Sequence, residues 1–215
     1  MTTQDCKKLA SSSSHNAITV VENFVALADC GRMLEETVCG EWVGSAVAGT
    51  RDSFGIRSPE RRSASLLIPV YSEWAQAWLR KIERHLAAIL AIESRNLEPW
   101  QMTRYRRGDA YDYHVDCGNW EGDPSGERRR TVLIVLEQPS RGGATHFRAL
   151  RQTVPAIAGR LIVWCNLLPT GRCNHAMIHS GRPVWQGRKT ILTTWERQRP
   201  YVEQTKGESH GDEQG

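Results

Sequence analysis

No stretch of this sequence holds the roughly 20 consecutive apolar residues that a membrane-spanning helix needs. Residues 1–17 are polar and serine-rich with no apolar centre, so neither a transmembrane segment nor a secretory leader is expected. The six cysteines (Cys6, Cys30, Cys39, Cys117, Cys165 and Cys173) never fall into a Cys-x-x-Cys spacing. That speaks against a zinc ribbon and against the disulfide framework of a small secreted domain. Reduced thiols and a cytoplasmic location are the expectation. Dense charge blocks are missing too: the net charge of +4 is spread over arginine-rich stretches, which reads as solvated basic surface. Neither a nucleic acid nor a membrane is expected as partner; a small-molecule or peptide substrate is. There is no internal repeat, and nothing here sets an oligomeric state.

What the sequence does contain is an ordinary globular balance, 40% hydrophobic and 24% charged over 215 residues. That suits one domain with its own core. Residues 1–17 read as a flexible leader, 18–203 as the domain and 204–215 as a flexible tail. Phe24, Leu27, Cys30 and Leu34 recur at helical spacing, and Trp74, Trp78, Ile82, Leu86 and Ile89 form the stripe of a second helix over 72–92, capped by Ser72. His85 falls off that stripe and reads as exposed. Residues 40–62, with four glycines and a proline, read as short strands joined by irregular loops. After Pro99 the period changes to two. Strands over 100–105, 111–116, 131–137, 143–148, 152–155, 160–165, 176–179 and 188–195 predict a mainly β protein with flanking α-helices. Its core is a double-stranded β-helix (jelly roll) over 100–197, preceded by a helical part over 18–99.

One stretch carries chemistry. His114 and Asp116 stand two apart in an extended run and therefore share a face. With one more histidine they would form the facial triad that holds ferrous iron and leaves positions open. His179 is the best candidate. Ten residues beyond it, Lys189 opens a run in which Lys189, Ile191, Thr193 and Trp195 share a face, which puts a cation beside the pocket. Arg188, its rival, points the other way.

The order of these motifs resembles the 2-oxoglutarate and Fe(II)-dependent oxygenases, in particular their prolyl 4-hydroxylase branch. The resemblance spans residues 20–197 and is strongest after Trp100. Residues 104–116 resemble the family's Tyr-x-x-Gly-x-x-Tyr-x-x-His-x-Asp. Residues 128–136 resemble its Arg-x-x-Thr strand, 142–147 its Gly-Gly-Glu-Thr-x-Phe, and 159–167 the strand before the distal histidine. The resemblance implies that His114, Asp116 and His179 bind Fe(II), and that Lys189 pairs with the distal carboxylate of 2-oxoglutarate. Tyr105 would hydrogen-bond that cosubstrate, and Thr131 and Trp195 would line its pocket. It further implies O2 as oxidant, ascorbate as a candidate reductant, and decarboxylation of 2-oxoglutarate to succinate coupled to hydroxylation of an unactivated aliphatic C–H. The substrate class implied is prolyl, proline-like or otherwise amino-acid-derived. Halogenating relatives carry a small residue in place of Asp116, so the carboxylate points to hydroxylation. Two departures, Ala144 in place of the acidic residue and the loop 117–127, bear on substrate.

Three other readings stand beside that one. A natural-product tailoring oxygenase of the same superfamily would share every motif. A nucleic-acid demethylase would carry arginines after the distal histidine, where this chain has Lys189. A non-catalytic jelly-roll binding module would have lost a ligand, and none is lost. On the substrate side, Trp120 reads either as a lid or as core packing, Arg128 either as a carboxylate anchor or as part of a solvated run with Arg129 and Arg130, and His146 as a pocket residue rather than a fourth ligand. His175 reads as exposed. Tyr111 and Tyr113 alternate with His114 and should face away from the metal unless a bulge re-aims one.

Overall fold

The computed structural model describes residues 16–38, 40–46, 59–67 and 72–203. The leader up to residue 15, the tail 204–215, residues 47–58 of the irregular region, Cys6 and Cys39 lie outside the described residues. Two helices and fourteen strands follow in order: β1 Ile18–Val21, α1 Leu27–Glu36, β2 Val43–Gly44, β3 Arg61–Arg62, β4 Ala64–Leu67, α2 Glu73–Leu90, β5 Gln101–Tyr105, β6 Ala110–His114 and β7 Arg128–Glu137. Then come β8 Arg141–Gly142, β9 Thr145–Phe147, β10 Gln152–Val154, β11 Leu161–Cys165, β12 His179–Gly181, β13 Val184–Gln186 and β14 Lys189–Arg197. A seven-stranded sheet runs β1-β11-β7-β14-β5-β4-β2 and a five-stranded sheet runs β10-β9-β12-β6-β3, while β13 and β8 form a small ribbon. Every strand pairing among the described residues is antiparallel.

The larger sheet is buried on both faces, and its sequence shows why. Along β7, Val132, Ile134 and Leu136 pack with the helix stripes of Cys30, Met33, Trp78, Ile82 and Leu86. The alternate residues, Leu133 and Val135, join Phe147, Trp164 and Ile191 between the two sheets. A strand that must be apolar on both sides reads as a continuous hydrophobic run, and each such side chain contributes about 1.5–3 kcal/mol when fully buried. At α2, Ser72 caps the helix as expected, its Oγ accepting from the Ala75 amide at 3.2 Å. His85 is exposed, though its ring stacks on Phe24.

Seven of the eight expected strands are present with shifted ends, and the jelly-roll architecture is as the sequence implied. The segment 176–179 is the exception: a 3-10 turn over His175–Met177 precedes a strand that begins at His179. The expectation of reduced thiols fails at one pair. Cys117 and Cys173 are disulfide-bonded, with Cα atoms 5.8 Å apart, because the turn after β6 and the loop after β11 fold against each other. Cys30 and Cys165 are free. No helix among the described residues is long and apolar enough to cross a membrane.

Candidate metal centre

His179 opens β12 between β6 and β9, paired with His114 on one side and Phe147 on the other. Asp116 follows two residues after the end of β6. Sheet pairing across the core thus joins segments 65 positions apart. His114 Nε2 lies 3.7 Å from Asp116 Oδ1, and His179 Nε2 lies 3.8 Å from Asp116 Oδ2. One donor atom from each residue lies within 4.8 Å of the others, the only such group of histidine, cysteine or carboxylate among the described residues.

Both histidines are oriented by backbone. His114 Nδ1 is 2.8 Å from the Asp112 carbonyl and His179 Nδ1 is 2.9 Å from the Met177 carbonyl. A carbonyl can only accept, so Nδ1 carries a proton in each ring, and Nε2, which points toward Asp116, is the nitrogen left to take a metal. Asp116 is steadied by Thr131, whose Oγ1 donates to Oδ2 at 2.6 Å, and the Asn166 amide donates to that same Thr131 oxygen at 2.9 Å. Burial, reinforced by the neighbouring His179, pushes His114 down to about 3. Burial disfavours the Asp116 carboxylate, yet the two imidazoles, Arg128 and the Thr131 bond outweigh it and hold Asp116 down to about 2. Two imidazole nitrogens and a carboxylate on one face are the donor set of a divalent transition metal with open positions.

The open side faces a cavity of about 660 Å³ between the sheets. Lys189 lies within it, 3% exposed, with its ammonium 5.2 Å from the Tyr105 ring centre. No hydrogen bond or ion pair from that ammonium is found among the described residues, and burial pushes it down to about 8. Gly143, at φ +72, packs beside it: a Cβ there would meet Pro139 Cγ at 2.8 Å and touch Lys189 Cδ at 3.4 Å. On the same face of β14, Thr193 Oγ1 and Trp195 Nε1 are buried without partners and line the cavity. An unneutralised ammonium, a hydroxyl and an indole N–H facing the triad fit an anionic ligand that also reaches the metal.

Lys189, Tyr105, Thr131 and Trp195 all line the cavity. Thr131 spends its hydroxyl on Asp116 and Asn166, and the Tyr105 hydroxyl is bonded to Ser63 and Arg61. Arg188 lies outside, on Glu137.

The substrate-side expectations need three corrections. Arg128 is neither free nor solvated: it clamps Glu98 with two 2.7 Å bonds and lies 3.7 Å over the Trp195 ring. Trp120 lines the cavity, its ring flanked by the guanidinium groups of Arg128 at 4.6 Å and Arg197 at 4.3 Å. Arg197 in turn holds Asp123 of the same loop at 2.7 Å. His146 is kept from the cavity by its place on the opposite side of β9 from Thr145, and its Nδ1 is 2.7 Å from the Tyr113 hydroxyl. Tyr111 and Tyr113, both expected to face away, line the cavity, and Tyr111 lies against His114. Sequence reasoning missed Arg61, Asn166 and Thr193; only Thr193 had a signal, its parity with Lys189.

Residues 100–197 match the family model described as the 2OG-Fe(II) oxygenase superfamily. The chain is 30% identical over 134 residues to prolyl 4-hydroxylase subunit alpha-3 of Rattus norvegicus, covering 55% of this chain and 25% of that protein. It is 24% identical over 199 residues to prolyl 4-hydroxylase 1 of Arabidopsis thaliana, covering 85% and 69%. Several of the curated relatives it matches are thus about four times longer than the segment they share with it. In fold, it is similar to the viral collagen prolyl hydroxylase of Paramecium Bursaria Chlorella virus-1, with a TM-score of 0.63, 22% identity and coverage of 84% and 95%. A Pseudomonas putida prolyl-4-hydroxylase gives 0.61, 20% identity and coverage of 90% and 99%. Residues 100–197 thus carry the match to the 2OG-Fe(II) oxygenase superfamily, and the chain is similar in sequence and in fold to prolyl 4-hydroxylases.

Proposed function

We propose that the protein is an Fe(II)- and 2-oxoglutarate-dependent dioxygenase that hydroxylates an aliphatic C–H of a prolyl or proline-like substrate. The observation that carries this is the three-donor face of His114, Asp116 and His179 looking across one cavity at the buried, unneutralised ammonium of Lys189. Bound Fe(II) would supply oxygen activation coupled to the decarboxylation of 2-oxoglutarate. In balance, substrate C–H, O2 and 2-oxoglutarate become C–OH, succinate and carbon dioxide.

The chain's own residues arrange this. The Met177 and Asp112 carbonyls fix the ring tautomers, and Thr131 keeps one Asp116 oxygen engaged, so the ligand set is preorganised. Lys189 would neutralise the distal carboxylate of the keto diacid, while Thr193 and Trp195 donate to it or to its backbone; Trp164 and Phe147 pack on His179 and exclude water from behind. Trp120, Tyr111 and Tyr113 border the side left for substrate. Members named for prolyl hydroxylation recur among the relatives, and this supports the substrate class. Succinate formation from 2-oxoglutarate with Fe(II), stimulated by a prolyl substrate and abolished in His179→Ala, is the test. An iron-loaded protein that releases no succinate would overturn the reading.

A further inference from the structure

The cavity holds one more cation than the proposed reaction uses. Of the basic residues that line it, Arg128 is neutralised by Glu98. A divalent metal less the Asp116 charge, taken with Lys189, balances the two carboxylates of 2-oxoglutarate. Among the described residues, Arg61 is the charge left over.

Arg61 opens β3, directly across from Tyr111 of β6, and lines the same cavity while half-buried. Its guanidinium carbon sits 4.7 Å from the Tyr111 ring centre, and Tyr111 stacks on the ligand His114, so the three form a column ending at the triad. Its partners are all neutral: Ser63 Oγ at 3.3 Å from Nε, the Ala46 carbonyl at 2.8 Å from Nη1, and the Tyr105 hydroxyl. Among the described residues it has no carboxylate. A guanidinium offers five N–H donors in a planar fork suited to a carboxylate, more than these partners take up. Glu60, Asp112 and Glu203 also border the cavity, but each is exposed, where water and salt screen it.

Resting on the oxygenase reading above, we infer that Arg61 binds a free carboxylate of the substrate. The site then takes a prolyl or proline-like acid, either a free imino acid or a C-terminal residue, in preference to a prolyl residue within a chain. Partial burial strengthens such a charge-assisted pair, and its planar geometry fixes how the ring is presented beneath the metal face.

The experiment is calorimetric titration, under anaerobic conditions, of the full chain loaded with Fe(II) and 2-oxoglutarate. The probes are L-proline, N-acetylglycyl-L-proline and the amide of each, run against the parent, Arg61→Gln and Arg61→Lys. One acid or both should bind about tenfold or more tighter than the matching amide. Arg61→Gln should erase that gap, Arg61→Lys should keep part of it, and the Kd for 2-oxoglutarate should stay within about twofold. Which acid binds tells the free imino acid from the C-terminal residue. Equal binding of acid and amide, a gap that survives Arg61→Gln, or no binding of any probe overturns the inference. So does a matching loss of 2-oxoglutarate affinity, which would make Arg61 a cosubstrate residue. If Arg61→Gln does not fold, as its thermal midpoint reports, the parent's gap and its narrowing in Arg61→Lys decide. Succinate release by the parent is read separately, so failure of the oxygenase reading shows on its own.

Discussion

Tyr111 lies almost flat on His114, ring centroids 3.6 Å apart and planes 16° from parallel. Simple alternation would put them on opposite faces, but His179 pairs with His114 while Gly181 pairs with Tyr111. Two steps on β12 match three on β6, and the extra residue turns Tyr111 onto the cavity. The bulge therefore converts a packing tyrosine into the support of a candidate metal ligand. Tyr111→Phe should leave Fe(II) affinity within about twofold, whereas Tyr111→Ala should weaken it by about tenfold through loss of ring orientation. Equilibrium dialysis against Fe(II) under argon measures both.

Thr131 ties the Asn166 amide to Asp116. Thr131→Val keeps the shape but removes the hydroxyl, so one Asp116 oxygen and the Asn166 amide lose their partner. Metal affinity should fall by about 10–100-fold, and stability by about 1–3 kcal/mol. Metal titration and urea denaturation of the metal-free protein separate the two effects.

Lys189 is buried without a counter-charge, and burial lowers its ammonium to about 8 from an ordinary 10.5. Between those values the unfolded chain keeps a proton that the native, ligand-free protein has released. Native stability should therefore rise with pH across that window, by roughly 3 kcal/mol at most. Lys189→Met should flatten the rise and stabilise the ligand-free protein at pH 7. In the parent, 2-oxoglutarate affinity should fall as pH climbs past about 8, because binding must then take a proton from solvent. Calorimetric 2-oxoglutarate titrations and urea midpoints from pH 6 to 10 check both trends.

The Cys117–Cys173 bond links the residue after Asp116 to the loop that leads toward His179. Alkylation of the denatured protein with iodoacetamide should mark two more cysteines after reduction than before it. Mass spectrometry counts them. An unchanged count would show both thiols free.

Much of the site was legible because its spacing is a consequence of strand geometry: His114 and Asp116 two apart, and Lys189, Thr193 and Trp195 on alternate positions of β14. Helix α2 was legible from its stripe and its Ser72 cap. What stayed hidden depends on register and long-range pairing, which a single sequence does not display. The β6 bulge, the clamp of Arg128 on Glu98 and the meeting of Cys117 with Cys173 join residues 30 to 56 positions apart or hinge on one inserted residue. Arg61 lay in a glycine-rich region without periodicity and became visible only through its pairing with Tyr111.

Strand β7 serves two compartments at once, with Thr131 and Leu133 lining the cavity, Val135 packed between the two sheets, and Val132, Ile134 and Leu136 toward the helices. A deletion of one codon in its middle would not merely shorten it. It would exchange the contents of the two layers downstream of the cut, sending branched aliphatics under the helices into the reaction chamber and the chamber's lining into the helix interface. The strand is therefore far less tolerant of changes in length than of changes in side chain, and natural variation in this region should be confined to substitutions.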